Sequence, residues 1–126
     1  MNVVDSSGWL EYFGDGPNAA HFAVPLAEPD SLIVPATSVF EVFRRVSQQR
    51  DDATALQAAA LMQQGRVVAL DAALAMTAAK LAFELKLPMG DGIILAKARQ
   101  FNAVLWRQAA DFENLPGARY VAAARA

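Results

Sequence analysis

The chain contains no cysteine and a single histidine, His21. The first absence excludes a disulfide scaffold, a thiolate metal site and a cysteine nucleophile, and it suits a reducing compartment. The second excludes a histidine-rich metal site and leaves little room for a serine–histidine triad. No apolar stretch reaches the roughly 18 residues that cross a bilayer. The opening Met1-Asn2-Val3-Val4-Asp5 lacks the basic start and apolar run of a secretory signal. An excess of basic charge is missing as well. The 11 Lys and Arg against 13 Asp and Glu leave a net charge of −2, with no overall attraction to nucleic acid or to anionic membranes. These absences read as a cytoplasmic protein with no membrane partner, and they leave any chemistry to carboxylates and hydroxyls.

What is present is a core. Of 126 residues, 55% are hydrophobic and 19% charged, enough for one packed domain over residues 1–126, with an Ala-rich tail expected to fray from about residue 122. Alanine fills 27 positions and favours helices, because it loses no side-chain entropy on forming one. Apolar runs at 2–5, 32–34, 67–70, 104–106 and 119–121 read as strands. Six helices fit between them. The first is capped by Ser6 or Ser7 and carries Trp9, Leu10, Tyr12 and Phe13; the second starts at Pro17 and runs to about Ala27. The third is capped by Thr37 or Ser38 and carries Val39, Val42, Phe43 and Val46 on one stripe; the fourth runs from Asp51-Asp52 to about Gln64, with Gly65 as its C-cap. The fifth is capped by Asp71 and reaches about Leu85, and the sixth spans about 91–101. Short strands alternating with helices predict an α/β fold, a mostly parallel sheet of four to five strands covered on both faces. In such sheets ligands bind beyond the carboxyl ends of the strands.

Four acids fall at that edge. Asp5 closes the first strand, Glu41 lies between Phe40 and Val42 early in the third helix, Asp91 opens the sixth, and Asp111 follows the fourth strand. Each has a plain structural explanation: Asp5 or Asp91 as a helix cap, Glu41 as an ion-pair partner of Arg44 or Arg45 at i+3 or i+4. Taken together they repel one another, and without a counter-ion some would take up protons. A divalent cation removes the conflict, and an oxygen-only donor set suits Mg²⁺ or Mn²⁺. Such a cation supports phosphodiester hydrolysis by binding phosphate and activating a water.

Three stretches resemble the PIN-domain family. Val3-Val4-Asp5-Ser6-Ser7-Gly8-Trp9-Leu10 is similar to its opening strand with a metal-binding Asp. Val34-Pro35-Ala36-Thr37-Ser38-Val39-Phe40-Glu41-Val42 is similar to its second motif, a strand and a helix carrying the metal-site Glu. Leu87-Pro88-Met89-Gly90-Asp91-Gly92-Ile93-Ile94-Leu95-Ala96 is similar to its third, with Asp91 in the acid position. The order and spacing agree over essentially the whole chain, and the resemblance is closest to VapC-like toxins. It implies a three-layer α/β/α PIN-like sandwich and a Mg²⁺- or Mn²⁺-dependent endoribonuclease, with catalytic and metal-site roles for Asp5, Glu41, Asp91 and Asp111. It further implies tRNA or rRNA as substrate, a cognate antitoxin as partner, and a homodimer.

The fourth motif departs from the pattern. In Trp106-Arg107-Gln108-Ala109-Ala110-Asp111-Phe112, Arg107 stands where the family has a small hydroxyl and Ala109 where it has the first acid or amide. Only Asp111 is retained. An alternative therefore stands beside the nuclease: a PIN-fold module that binds RNA or protein with weak or no cleavage. For an RNA-binding rim, Arg44, Arg45 and Arg107 are the basic residues placed to meet phosphates. Lys97 and Arg99 read as surface charges; Trp9, Tyr12 and Phe13 as core or dimer surface; Trp106 as core; His21 is assigned no role. Two other α/β phosphate chemistries fit poorly. A haloacid-dehalogenase phosphatase needs a second Asp two residues after the first, where this chain has Ser7, and a response-regulator receiver needs an acidic pair that is not evident.

Overall fold

A computed structural model of the chain describes residues 1–108 and 118–120. Five strands form one sheet: β1 (Asn2–Val4), β2 (Leu32–Pro35), β3 (Arg66–Val68), β4 (Val104–Arg107) and β5 (Ala118–Tyr120). Their order is β3-β2-β1-β4-β5, and every neighbouring pair is parallel. The helices are α1 (Ser6–Phe13), α2 (Ala19–Leu26), α3 (Ala36–Gln49), α4 (Asp52–Met62), α5 (Ala72–Leu85) and α6 (Met89–Gln100).

The strand period of two sorts the core into two layers. Val4, Leu32, Val34 and Trp106 point to one face, where they pack with Trp9, Phe22, Val42, Val46, Ala55 and Met62 from α1 to α4. Val3, Ile33 and Leu105 point to the other, against Leu87, Ile94, Leu95 and Ala98 around α6, and α5 packs on α6 outside them. The α/β/α sandwich read from the sequence is thus the observed fold. No helix among the described residues is long and apolar enough to cross a membrane.

Several local boundaries differ from the sequence reading. Pro17 does not open α2, which begins at Ala19. α3 starts at Ala36 directly after Pro35, so neither Thr37 nor Ser38 is a cap; both lie inside the first turn. Likewise Ser6 and Ser7 are the first residues within α1, not its cap. α4 ends at Met62 with Gln63 at its cap. Gly65 is needed for a different reason: a Cβ there would stand 2.9 Å from Val34 Cγ2, so the glycine lets the chain pass close over β2. The caps expected from acids do hold in α4 and α5. Asp51 Oδ1 accepts from Thr54 N at 2.7 Å and Asp71 Oδ1 from Leu74 N at 2.8 Å.

Candidate active site

From β1 the chain steps outward through β2 to β3, then returns to place β4 on the opposite side of β1. That reversal lies between β1 and β4, and it opens a crevice at the carboxyl ends of the strands. Asp5 is the first residue past β1. Its N–H donates to Trp106 O at 2.9 Å, which ties it to β4, and its side chain makes no cap on α1. Ser7 Oγ donates to Asp5 Oδ2 at 2.8 Å, and Asp5 is buried. Glu41 sits on α3 beyond β2. Asp91 is in the first turn of α6, whose cap position is Pro88. An acid in that turn is favoured by the helix dipole. Three segments far apart in sequence thereby line one cleft of about 410 Å³, together with Thr37, Phe40, Arg44, Pro88, Met89 and Gly90.

The acids are close enough to feel one another. Glu41 holds its proton above the usual carboxylate range, first because burial disfavours its charge and then because Asp5 and Asp91 carry the same charge beside it. Ser6 Oγ lies near enough to favour the ionised form, yet it makes no hydrogen bond of ordinary geometry and is left buried without a partner. Thr37 Oγ1, in the lining of the cleft, is in the same condition. α6 comes close over Glu41: a Cβ on Gly90 would stand 3.3 Å from Glu41 Oε1. The ion-pair alternative for Glu41 is not realised, since neither Arg44 nor Arg45 bridges to it among the described residues.

The chemistry of the donors fits a hard divalent cation. They are all oxygens, and they repel one another. Among the described residues no group of three or more Asp, Glu or His side chains is gathered closely enough to hold a metal ion by itself. An open set is what Mg²⁺ uses, because it keeps several waters and takes one or two carboxylates. Asp5 and Glu41 are the pair best placed to hold it.

Arg107 is where the structure departs most from the sequence reading. It is 1% exposed, and its Nη2 donates to Asp91 Oδ1 at 3.1 Å. A buried guanidinium bound to a cleft acid is no part of an exposed phosphate rim, so that role is corrected. Arg44 and Arg45 do remain exposed, and both line a smaller cleft of about 150 Å³ beside Ser6 and Glu41. Asp111 and Ala109 lie outside the described residues. Lys97 is not a surface charge either. It is 2% exposed, and its ammonium donates to Ala69 O at 3.3 Å and Gln100 Oε1 at 3.1 Å; burial lowers its proton affinity, opposed by Asp71. Trp9 and Trp106 are core, as expected, and His21 packs edge-on against Phe22 and beside Trp106. A larger groove of about 590 Å³ runs between α5 and α6 around Leu74, Thr77 and Leu81, and none of Asp5, Glu41 and Asp91 lines it.

A parallel sheet in this order with acids from β1, α3 and α6 at its carboxyl edge defines a class of fold and site. The family model of the PIN domain matches residues 3–117, and the chain belongs to the PIN-domain family. Its fold is similar to a toxin–antitoxin complex from Klebsiella pneumoniae (TM-score 0.76, 22% identity, 94% of this chain and 96% of that one). It is similar also to VapBC2 from Rickettsia felis bound to a promoter DNA fragment (TM-score 0.73, 14% identity, 96% and 97%). A third likeness is to VapC20 of Mycobacterium tuberculosis, described as a sarcin–ricin loop cleaving toxin (TM-score 0.70, 16% identity, 82% and 85%). No curated protein sequence matches the chain.

Proposed function

We propose that the chain is a metal-dependent endoribonuclease of the VapC-like toxin type. The observation that carries this reading is the convergence of Asp5, Glu41 and Asp91 on one cleft at the switch point of the sheet. Asp5 and Glu41 would hold Mg²⁺ or Mn²⁺, with Asp91 beside them and Asp111 as a further acid from beyond β4. When bound, such a cation activates a water and stabilises the leaving oxygen in phosphodiester hydrolysis. Ser7 orients Asp5 through its 2.8 Å hydrogen bond. Ser6 Oγ lies beside Glu41 and favours its ionised form. Arg44 and Arg45 supply local positive charge beside the cleft of a chain whose net charge is −2, and RNA phosphates are the groups they would meet.

The partners follow from the same reading. Structures similar to this chain are toxin–antitoxin complexes, and a protein antitoxin is proposed here too, with tRNA or rRNA as substrate. The groove between α1, α3 and the start of α4, lined by Leu10, Phe13 and Val46 with Gln49, Arg50 and Thr54, is a fitting seat for it. Met76 and Phe83, 68% and 86% exposed on α5, are where a second copy of the chain would bury apolar area in a homodimer.

Cleavage of end-labelled total tRNA by the purified chain, with Mg²⁺, Mn²⁺ or EDTA, tests the activity. Metal-dependent products that vanish in Asp5→Asn are expected. A second reading, a binding module without cleavage, is favoured by one observation: the guanidinium of Arg107 already occupies Asp91. RNA binding that survives in EDTA, with no products under any condition, would replace the first reading by the second.

A further inference from the structure

We infer that Arg107 is a built-in counter-cation of the acidic cleft, a positioning residue that fixes Asp91 and sets how tightly the cleft takes a divalent cation. The inference rests on the cation reading above and goes beyond it, because it assigns to a residue of β4 the control of cation affinity. Along β4, Leu105 and Arg107 fall on one face of the sheet and Val104 and Trp106 on the other. Leu105 enters the core under α6, so Arg107 at the end of the strand is directed to the same side. There its long side chain meets the first turn of α6 and bonds Asp91 at 3.1 Å. The guanidinium is out of water at 1% exposure, and a charge so buried is kept only with a partner. Asp91 is one such partner, and it also lines the cleft.

The consequence is electrostatic. Cation affinity of an oxygen site grows with the negative charge of its donors. Arg107 offsets one of three acids without touching the cleft, and it leaves Asp5 and Glu41 as the main cation holders. Arginine cannot lose its proton in a protein, so the offset is permanent across the working pH range. An exposed lysine on the rim would be screened; a buried guanidinium is screened far less.

Binding of Mn²⁺ to the full chain, followed by the loss of its free electron paramagnetic resonance signal, tests this with Arg107→Gln and Arg107→Lys. Arg107→Gln is expected to bind Mn²⁺ about tenfold tighter than wild type, while Arg107→Lys, which keeps the charge, stays within about threefold. A merely structural role for Arg107 moves affinity the opposite way, since a loosened site binds more weakly. Equal or weaker binding by folded Arg107→Gln would overturn the inference and leave the cation reading standing. Absence of Mn²⁺ binding in wild type and both variants would overturn the cation reading as well. Should Arg107→Gln fail to fold, the double variant Asp91→Asn/Arg107→Gln removes both charges. It is expected to bind Mn²⁺ within about threefold of wild type, and a loss of about tenfold or more would overturn the inference by making Asp91 a principal ligand.

Discussion

Glu41 is half-buried, and Asp5 and Asp91 face it with charge of its own sign. Its proton is bound more tightly in the folded chain than in the unfolded one. Folded stability is therefore lost as pH rises from the unfolded carboxyl value, about 4.3, through the raised folded value, and it stays lost above that. In metal-free protein, Glu41→Gln is expected to raise Tm at about pH 7.5 by about 2 °C, with the gain shrinking as pH falls toward the unfolded value. Thermal unfolding in EDTA at several pH values measures it; a lower Tm for the variant at neutral pH would show that the charge of Glu41 is already compensated. At this scale the acids were legible in sequence because each ends or opens an element recognisable by its apolar pattern. Arg107 was legible only as an oddity. The strand period gives its side, but no local pattern reveals that a side chain on β4 is buried against Asp91, sixteen positions earlier in the chain. Lys97 hid for a similar reason: the carbonyl of Ala69 that receives its ammonium comes from a distant loop.

The elements were legible wherever side-chain caps or apolar runs mark them, as with Asp51, Asp71 and Leu32–Val34. They were misread by a residue or two where hydroxyls invite a cap that the tertiary structure does not use. Thr37 and Ser38 follow Pro35, and proline's fixed φ lets α3 begin at Ala36, which carries both hydroxyls into the helix. Thr37 lines the acidic cleft, whereas Ser38 is fully buried. The setting of α6 depends on close approach. A Cβ on Gly92 would meet Ala78 O at 2.9 Å and Ala82 Cβ at 3.0 Å, so the glycine lets α6 lie directly on α5 and holds the neighbouring Asp91 at the cleft. Gly92→Val is expected to cost about 1–3 kcal/mol through overpacking, read as a lower denaturation midpoint in urea with an unchanged m-value. A midpoint equal to that of wild type would mean that the two helices can part without loss.

Over the whole molecule, the strand order does what no single motif does. Reversal of the chain between β1 and β4 brings Asp5, Glu41 and Asp91 to one edge. The fold class and the three acids follow from sequence because parallel α/β sheets have few solutions and put ligands at a predictable edge. Charge balance between those acids, and the buried base that shares one of them, does not, because both are set by distances across layers. The most direct measurement on the central claim, that these acids form one divalent-cation site, is an anomalous difference map from crystals of the full chain soaked in Mn²⁺. One peak is expected in the cleft, about 2.0–2.6 Å from carboxylate oxygens of Asp5 and Glu41. A cleft without a peak, or manganese only at exposed acids such as Asp51 and Asp52, would contradict it.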